Sequence, residues 1–292
     1  MHTESIARAF DADAFLCTTE ELCSRRRKTP GTYAGFDLCQ FDGIAQQYVS
    51  PKDLPHGKME KALVSKALGN CAGLRILDIA GGTGDHARIA IGSGADRVDV
   101  VDISEAMMEI GKKIEAEAGR EVIHWYRGDI VLPLWEQIKE LPIQGYDIII
   151  GAFPFDHIET VEELVFSWRN IAAYLKPGGR IVCARVGNPW SRCVQDGKYG
   201  ARATLIEQTP TRAVRCQVVV NTKPPFTFYS CSTEVSLRGD TYIPNKLGII
   251  NVHDLDPKET ELYQEDPEFW KDFIEDPYFV VFTARKISVS SK

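Results

Sequence analysis

The stretch "RILDIAGGTGDHA" (Arg75–Ala87) sets a short apolar run against a turn that holds three glycines. "LRILDIA" is too short for a helix and ends on glycine punctuation, so it reads as a buried strand. "GDHARIAIGSG" then opens a helix that stops on glycine. Upstream, "KMEKALVSKALGNC" is an amphipathic helix with Met59, Leu63, Ala67 and Leu68 on one face. Downstream the alternation continues. "RVDVVDI" is a second strand, and "SEAMMEIGKKIEAEAG" is a helix with Ser104 as N-cap. "EVIHWYRGDI" is a third strand with its exit, "GYDIIIGAF" a fourth, "VEELVFSWRNIAAYL" a helix, and "GGRIVCARV" a fifth strand after the turn "KPGG". Such alternation specifies an α/β fold with a parallel sheet covered by helices on both faces.

The rhythm changes after Val186. Within residues 187–240, "AVRCQVVVNT" and "FTFYSCSTEV" flank "KPPF" and predict an antiparallel hairpin inserted between sheet elements. The acidic segment "DLDPKETELYQEDPEFWKDFIEDP" carries Phe269, Trp270 and Phe273 and predicts a surface helix docked by its aromatics. "YFVVFTARK" is the last strand. Residues 1–56 read as an irregular N-terminal cap segment and 57–292 as the main domain.

The 292 residues suffice for a sizeable core, and the net charge of -7 argues against nucleic acid or an anionic membrane as partner. The one basic run, "SRRRK" (Ser24–Lys28), reads as solvated surface. None of the eight cysteines forms a C-x-x-C pair, and the N-terminus does not read as a secretory signal. Free thiols in the cytoplasm are the simplest expectation.

In an open parallel sheet, ligands bind beyond the C-terminal strand ends, where "GGTGDHA" lies. The turn lacks the Gly-Lys-Ser/Thr of a phosphate loop. A nicotinamide dinucleotide is the serious rival, since Gly82, Gly84 and Ala87 fit G-x-G-x-x-A and Asp102 ends the second strand. Asp102 suits ribose hydroxyls under either reading. Asp78 separates them: a carboxylate at this turn repels a pyrophosphate and suits a ligand with an ammonium and a sulfonium. S-adenosylmethionine carries both and no phosphate. At "RGDI", Asp129 can bond an adenine amino group while Ile130 packs on the ring, or Asp129 can simply cap the following turn.

"LDIAGGTG", "VDIS", "RGDI", "YDIIIGAF", "LKPGGRIV" and "FVVFTARK" resemble, in order and spacing, the motifs of class I S-adenosylmethionine-dependent methyltransferases. Ala80 departs from the Cys or Gly usual there. The resemblance implies a Rossmann-like seven-stranded sheet of order 3-2-1-4-5-7-6 with an antiparallel last strand. It implies that Asp78, Ala80, Gly82 and Gly84 hold the methionine part. Asp102 would take the ribose, Ile103 and Met107 would lie beside the adenine, Asp129 and Ile130 would take its edge and face, and Phe153 would line the methyl donor. "FDGIAQQYV" (Phe41–Val49) resembles the segment that folds over the cofactor in this family, so that Tyr48 would close the site.

The acceptor is less legible. "GAFPFD" lacks the amide or carboxylate that base-methylating enzymes place there, which disfavours nucleic acid. "KYG" (Lys198–Gly200), "KPPFTFY" (Lys223–Tyr229) and "FWKDFIEDPYFVVFTARK" resemble the small-molecule, toxin-biosynthesis-like subgroup. The hairpin would then be a lid. Phe155, Trp190, Tyr199 and Phe228, with Phe226 and Tyr229, are candidates for an apolar acceptor pocket or for packing alone. His157, just past the fourth strand, is the candidate base, and its alternative is a helix-capping or surface role. No metal site is expected. The expected activity is methyl transfer to O, N or S of a small, secondary metabolite. The alternatives are a non-methylating cyclisation on the same fold, a nicotinamide dehydrogenase, or a binding partner without activity.

Overall fold

Four parallel strand pairings and two antiparallel ones build the main sheet. Its strands are β1 (Arg75–Ile79), β2 (Arg97–Asp102), β3 (Ile123–Arg127), β4 (Tyr146–Ala152) and β5 (Leu175–Val186), then β9 (Ile249–Asp254) and β10 (Phe279–Lys286). The computed structural model describes residues 40–49 and 53–288. The basic run Ser24–Lys28 and most of the expected cap, residues 1–56, lie outside the described residues.

The sheet order is β3-β2-β1-β4-β5-β10-β9, with β10 antiparallel to both neighbours. Numbered along the whole chain it differs from the expectation, because three strands of the insertion intervene after β5. Counted within the sheet it reads 3-2-1-4-5-7-6. Ile76, Leu77 and Ile79 on β1 and Val98, Val100 and Val101 on β2 are all buried. Strands covered on both faces need such unbroken apolar runs, and each aliphatic side chain contributes about 1.5–3 kcal/mol by leaving water.

Helix α1 (Pro55–Leu68) starts with proline in its first turn and buries Met59, Leu63 and Leu68. Helix α2 (Asp85–Gly92) follows the glycine turn directly, with Gly84 left-handed at its N-cap. Helix α3 (Glu105–Glu117) is capped by Ser104, whose Oγ accepts from the Met107 amide at 3.2 Å. Helix α4 (Val161–Tyr174) carries a capping box between Thr160 and Glu163. Helix α5 (Pro267–Glu275), capped by Asp266, buries Trp270 and Phe273, as the acidic aromatic segment predicted.

The insertion corrects one expectation. It is a three-stranded antiparallel sheet rather than a hairpin: β6 (Ala201–Gln208), β7 (Ala213–Val220) and β8 (Phe226–Thr233), in that order. β6 escapes the sequence reading because Leu205 and Ile206 lie exposed on it, breaking the expected alternation.

Asp156 joins the two sheets. It is 2% exposed, and its carboxylate accepts from the Val186 amide at the end of β5 (3.0 Å) and from Ser232 Oγ on β8 (2.6 Å). Backbone bonds from Ile158 to Cys231 and from Cys231 to Asp156 add the segment around His157 to the edge of β8. The chain after β4 is thereby laid against the insertion.

Candidate cofactor and acceptor site

The turn after β1 is built for close backbone approach. Ala80 (φ +53°), Gly82 (φ +53°) and Gly84 (φ +80°) are all left-handed. A side chain at Gly81 would come within 2.9 Å of the Asp78 carboxyl, and one at Gly84 within 2.5 Å of the Trp125 ring. Ala80 is the one non-glycine of the three, and such a conformation costs roughly 1–2 kcal/mol.

Asp102 shapes this turn. Its Oδ2 accepts from the Gly82 amide and its Oδ1 from the Ser104 amide, both at 2.8 Å. Burial pushes its carboxyl up to about 6, against those two hydrogen bonds. Both oxygens keep further accepting capacity, as a hydroxyl pair requires. Met107 packs beneath, with its Cε 3.5 Å from where a Gly82 Cβ would stand, and Ile103 is half-buried beside it.

Asp78 is fully buried and neither carboxyl oxygen accepts a hydrogen bond. Burial raises it to about 7. His86 and Arg88 oppose that rise, Asp102 adds to it, and the Ala87 amide opposes it without reaching bonding geometry. Next to it His86 is pushed up to about 9: burial works against its charge, but Glu60 at 3.1 Å, then Asp78 and Asp85, outweigh burial. An orphaned buried carboxylate is costly unless a ligand completes it.

In the loop after β3, Asp129 Oδ1 accepts from the Val131 amide at 3.2 Å, so this acid orders its own loop, and Ile130 is buried beside it. Phe153 follows β4 with φ +55° and rests its ring 5.9 Å from Phe279.

The N-terminal segment spans the site. Asp42 accepts from Ser104 Oγ at 2.5 Å, and the Gln40 side chain pairs with the backbone of Tyr229 on β8 at 2.7 and 3.0 Å. Tyr48 sits between these anchors. Its phenol is raised well above its usual range by burial and then by Glu60, Asp102 and Asp85. Its ring meets Phe41 and Phe226, each at 5.7 Å.

His157 belongs to the same aromatic cluster, edge-on to Phe41 at 5.0 Å and 6.3 Å from Phe228. Its Nδ1 is shielded and unpaired, and burial pushes the imidazole down to about 4. The capping role considered for it falls to Thr160 and Glu163 instead.

Three acceptor candidates stand elsewhere. Tyr199 is fully buried and stacks on Trp270 at 5.1 Å; its hydroxyl donates to the Phe269 carbonyl and accepts from the Phe273 amide. It docks α5 and has no hydrogen-bonding capacity facing a ligand. Phe155 stacks on Trp168 at 5.0 Å and lines a separate cavity of about 170 Å³ with Arg185, Leu164 and Phe282. Trp190 is 49% exposed and makes no ring contact among the described residues. Phe228 alone of the four joins the cluster with His157. Phe226, an acceptor candidate from sequence, and Phe41, the first residue of the Phe41–Val49 segment, belong to the same cluster, while Trp125 beneath the glycine turn carries no motif that marks it.

With this geometry in place, residues 76–179 match a family profile described as "Methyltransferase domain". A demethylmenaquinone methyltransferase of Leptospira interrogans is 32% identical over 175 residues, 56% of this chain and 66% of that protein. The chain thus spans just under two thirds of that relative's length. Among solved structures, the CcbJ methyltransferase of Streptomyces caelestis superposes with a TM-score of 0.56 at 16% identity, covering 85% of this chain and 96% of that one. The DhpI–SAM–HEP complex does so with 0.54 at 20% identity, covering 87% and 99%. These likenesses are of fold.

Proposed function

We propose that the chain is a class I S-adenosylmethionine-dependent methyltransferase, with its methyltransferase domain over residues 76–179, and that it methylates a small, planar, apolar acceptor under the insertion. The observation that carries the reading is the fully buried, unpaired Asp78 beside a glycine turn tied to Asp102. A dinucleotide pyrophosphate would meet that carboxylate with repulsion. A ligand with an ammonium and a sulfonium satisfies it.

When bound, S-adenosylmethionine supplies an electrophilic methyl group. The residues present fit it: Asp78, Ala80, Gly82 and Gly84 would hold the amino-acid part, Asp102 with Ile103 and Met107 the nucleoside, Asp129 and Ile130 the base, and Tyr48 and Phe153 would enclose it. The protein's own contribution is alignment and exclusion of water, and orientation alone is worth up to roughly 7–11 kcal/mol.

His157 supports the acceptor assignment. An imidazole held near 4 is neutral throughout the physiological range and too weak a base to take a proton outright from a phenol or an ammonium, but its unpaired Nδ1 is free to accept a hydrogen bond that orients an acceptor hydroxyl. The surrounding rings of Phe41, Tyr48, Phe226 and Phe228 suit a flat partner. The Leptospira relative is named a demethylmenaquinone methyltransferase. A secondary metabolite and attack by O, N or S remain the reading of the acceptor-side resemblance. Buried free thiols at Cys71, Cys183, Cys193, Cys216 and Cys231 agree with a cytoplasmic setting. No helix among the described residues is long and apolar enough to cross a membrane.

Incubation with S-adenosylmethionine labelled on its methyl group and with metabolite fractions tests the reading. Label should move to a small apolar product in step with release of S-adenosylhomocysteine. Release without a labelled product, or no release with any fraction, would contradict it.

A further inference from the structure

Buried polar atoms without a partner gather at one end of the site. Besides both oxygens of Asp78, the Tyr278 hydroxyl is shielded from water and unbonded, and Glu60 Oε1 is shielded with only the His86 ring against it. Glu60 lies on α1, outside every motif of the sequence. His86 Nε2 stands 3.1 Å from Glu60 Oε1 and is its one close polar neighbour, an ion pair that leaves the rest of the carboxylate's accepting capacity free. Both side chains are only 13% exposed. Tyr48 and Tyr278 also feel the Glu60 charge.

The charges do not balance. Asp85 is engaged by Arg88 at 2.5 Å. That leaves two carboxylates, Glu60 and Asp78, facing one cation, His86. Compare Asp99, equally buried, which accepts from Arg75, Arg97 and Tyr146 and is complete within the protein. A pocket with acceptor oxygens in excess of donors is completed by a group rich in N–H donors and positive charge.

We infer that Glu60, held in place by His86, is a second carboxylate for the ammonium of the cofactor's amino-acid end, acting together with Asp78. The inference rests on the cofactor reading above and assigns a residue that no motif marks. His86 is a positioning residue: its ion pair turns Glu60 toward the glycine turn and keeps the site from accumulating uncompensated negative charge. The hydroxyl of Tyr278 closes the same end.

Calorimetry with two probes tests this. S-adenosylhomocysteine has the amino-acid end, and 5′-methylthioadenosine lacks it. Glu60→Gln keeps size and removes the charge. It should weaken S-adenosylhomocysteine at least tenfold and change 5′-methylthioadenosine less than twofold. Equal weakening of both probes, or of neither, overturns the inference while leaving the cofactor reading in place. If Glu60→Gln fails to fold, Glu60→Asp, which keeps the charge and draws it back by one methylene, is titrated with the same two probes. Selective weakening of S-adenosylhomocysteine supports the inference, and unchanged or equally weakened binding of both probes overturns it. Binding of neither probe to the wild-type chain overturns the cofactor reading itself.

Discussion

Asp78 and Asp99 lie on neighbouring parallel strands, both fully buried, and they differ in what they touch: Asp99 accepts hydrogen bonds from Arg75, Arg97 and Tyr146, and Asp78 accepts none. Asp99 is completed by the fold at the strand starts. Asp78 is left for a ligand at the strand ends, and this gives the ligand-free protein an unusual pH response.

In the folded chain Asp78 is raised from 3.8 to about 7, so the folded state holds this proton more tightly than the unfolded state. Its stabilising contribution therefore grows as pH falls from about 7 toward 4. His86 is raised from 6.5 to about 9, so its contribution is complete below 6.5 and lost as pH rises through about 9. Both signs agree between pH 6 and 9. The Tm of the ligand-free protein should fall steadily over that range in thermal scans, and His86→Gln should flatten the fall above pH 7. A Tm that rises toward pH 9 would contradict this.

His157 should act on turnover rather than on cofactor affinity. Neutral across this range, it would act by accepting a hydrogen bond that aligns the acceptor, and alignment bears on rate. With an acceptor identified by labelled transfer, His157→Gln should lower kcat at least tenfold and leave the Kd for S-adenosylhomocysteine within twofold. Because burial holds the imidazole near 4, the wild-type rate should show no inflection near 6.5 from this group. A variant with full kcat across pH 6–9 removes His157 from the chemistry.

Trp125 wedges its ring beneath the glycine turn. A Cβ at Gly84 would meet it at 2.5 Å with φ +80°, and a Cβ at Gly111 would meet that ring at 2.2 Å and the Thr83 carbonyl at 2.7 Å. Gly111→Ala should destabilise by roughly 1–3 kcal/mol through overpacking alone. Gly84→Ala adds backbone strain and should cost more, with a parallel loss of cofactor affinity. Denaturant melts compare the two, and equal, negligible losses would show that the ring moves aside freely.

Tyr199 and Phe228 looked equivalent in sequence and should behave oppositely. Tyr199→Ala removes a stacked core ring and two hydrogen bonds, for about 3–5 kcal/mol of stability. Phe228→Ala should lower acceptor turnover with little change in Tm or cofactor affinity. Melting curves and acceptor kinetics on both variants check the contrast.

The legible parts share a physical reason. The glycine turn, Asp102 and the Ser104 cap were readable because local backbone geometry dictates those residue types in sequence order. β6 was not, because it is an edge strand whose buried positions are the small Ala201 and Ala203 while the larger Leu205 and Ile206 face solvent. Sequence does not separate Tyr199, which packs under α5, from Phe228, which joins the cluster with His157, because an aromatic that packs and one that lines a pocket look the same until long-range contacts decide. Glu60 lay hidden on an amphipathic helix, where an acid ordinarily faces water.

Calorimetric titration with S-adenosylhomocysteine tests the central claim most directly. One equivalent should bind in the low-micromolar range, near roughly -8 kcal/mol. Asp102→Asn should weaken it by about 1–3 kcal/mol through lost charged hydrogen bonds. No heat with S-adenosylhomocysteine or S-adenosylmethionine, together with saturable binding of NADH, would contradict the account.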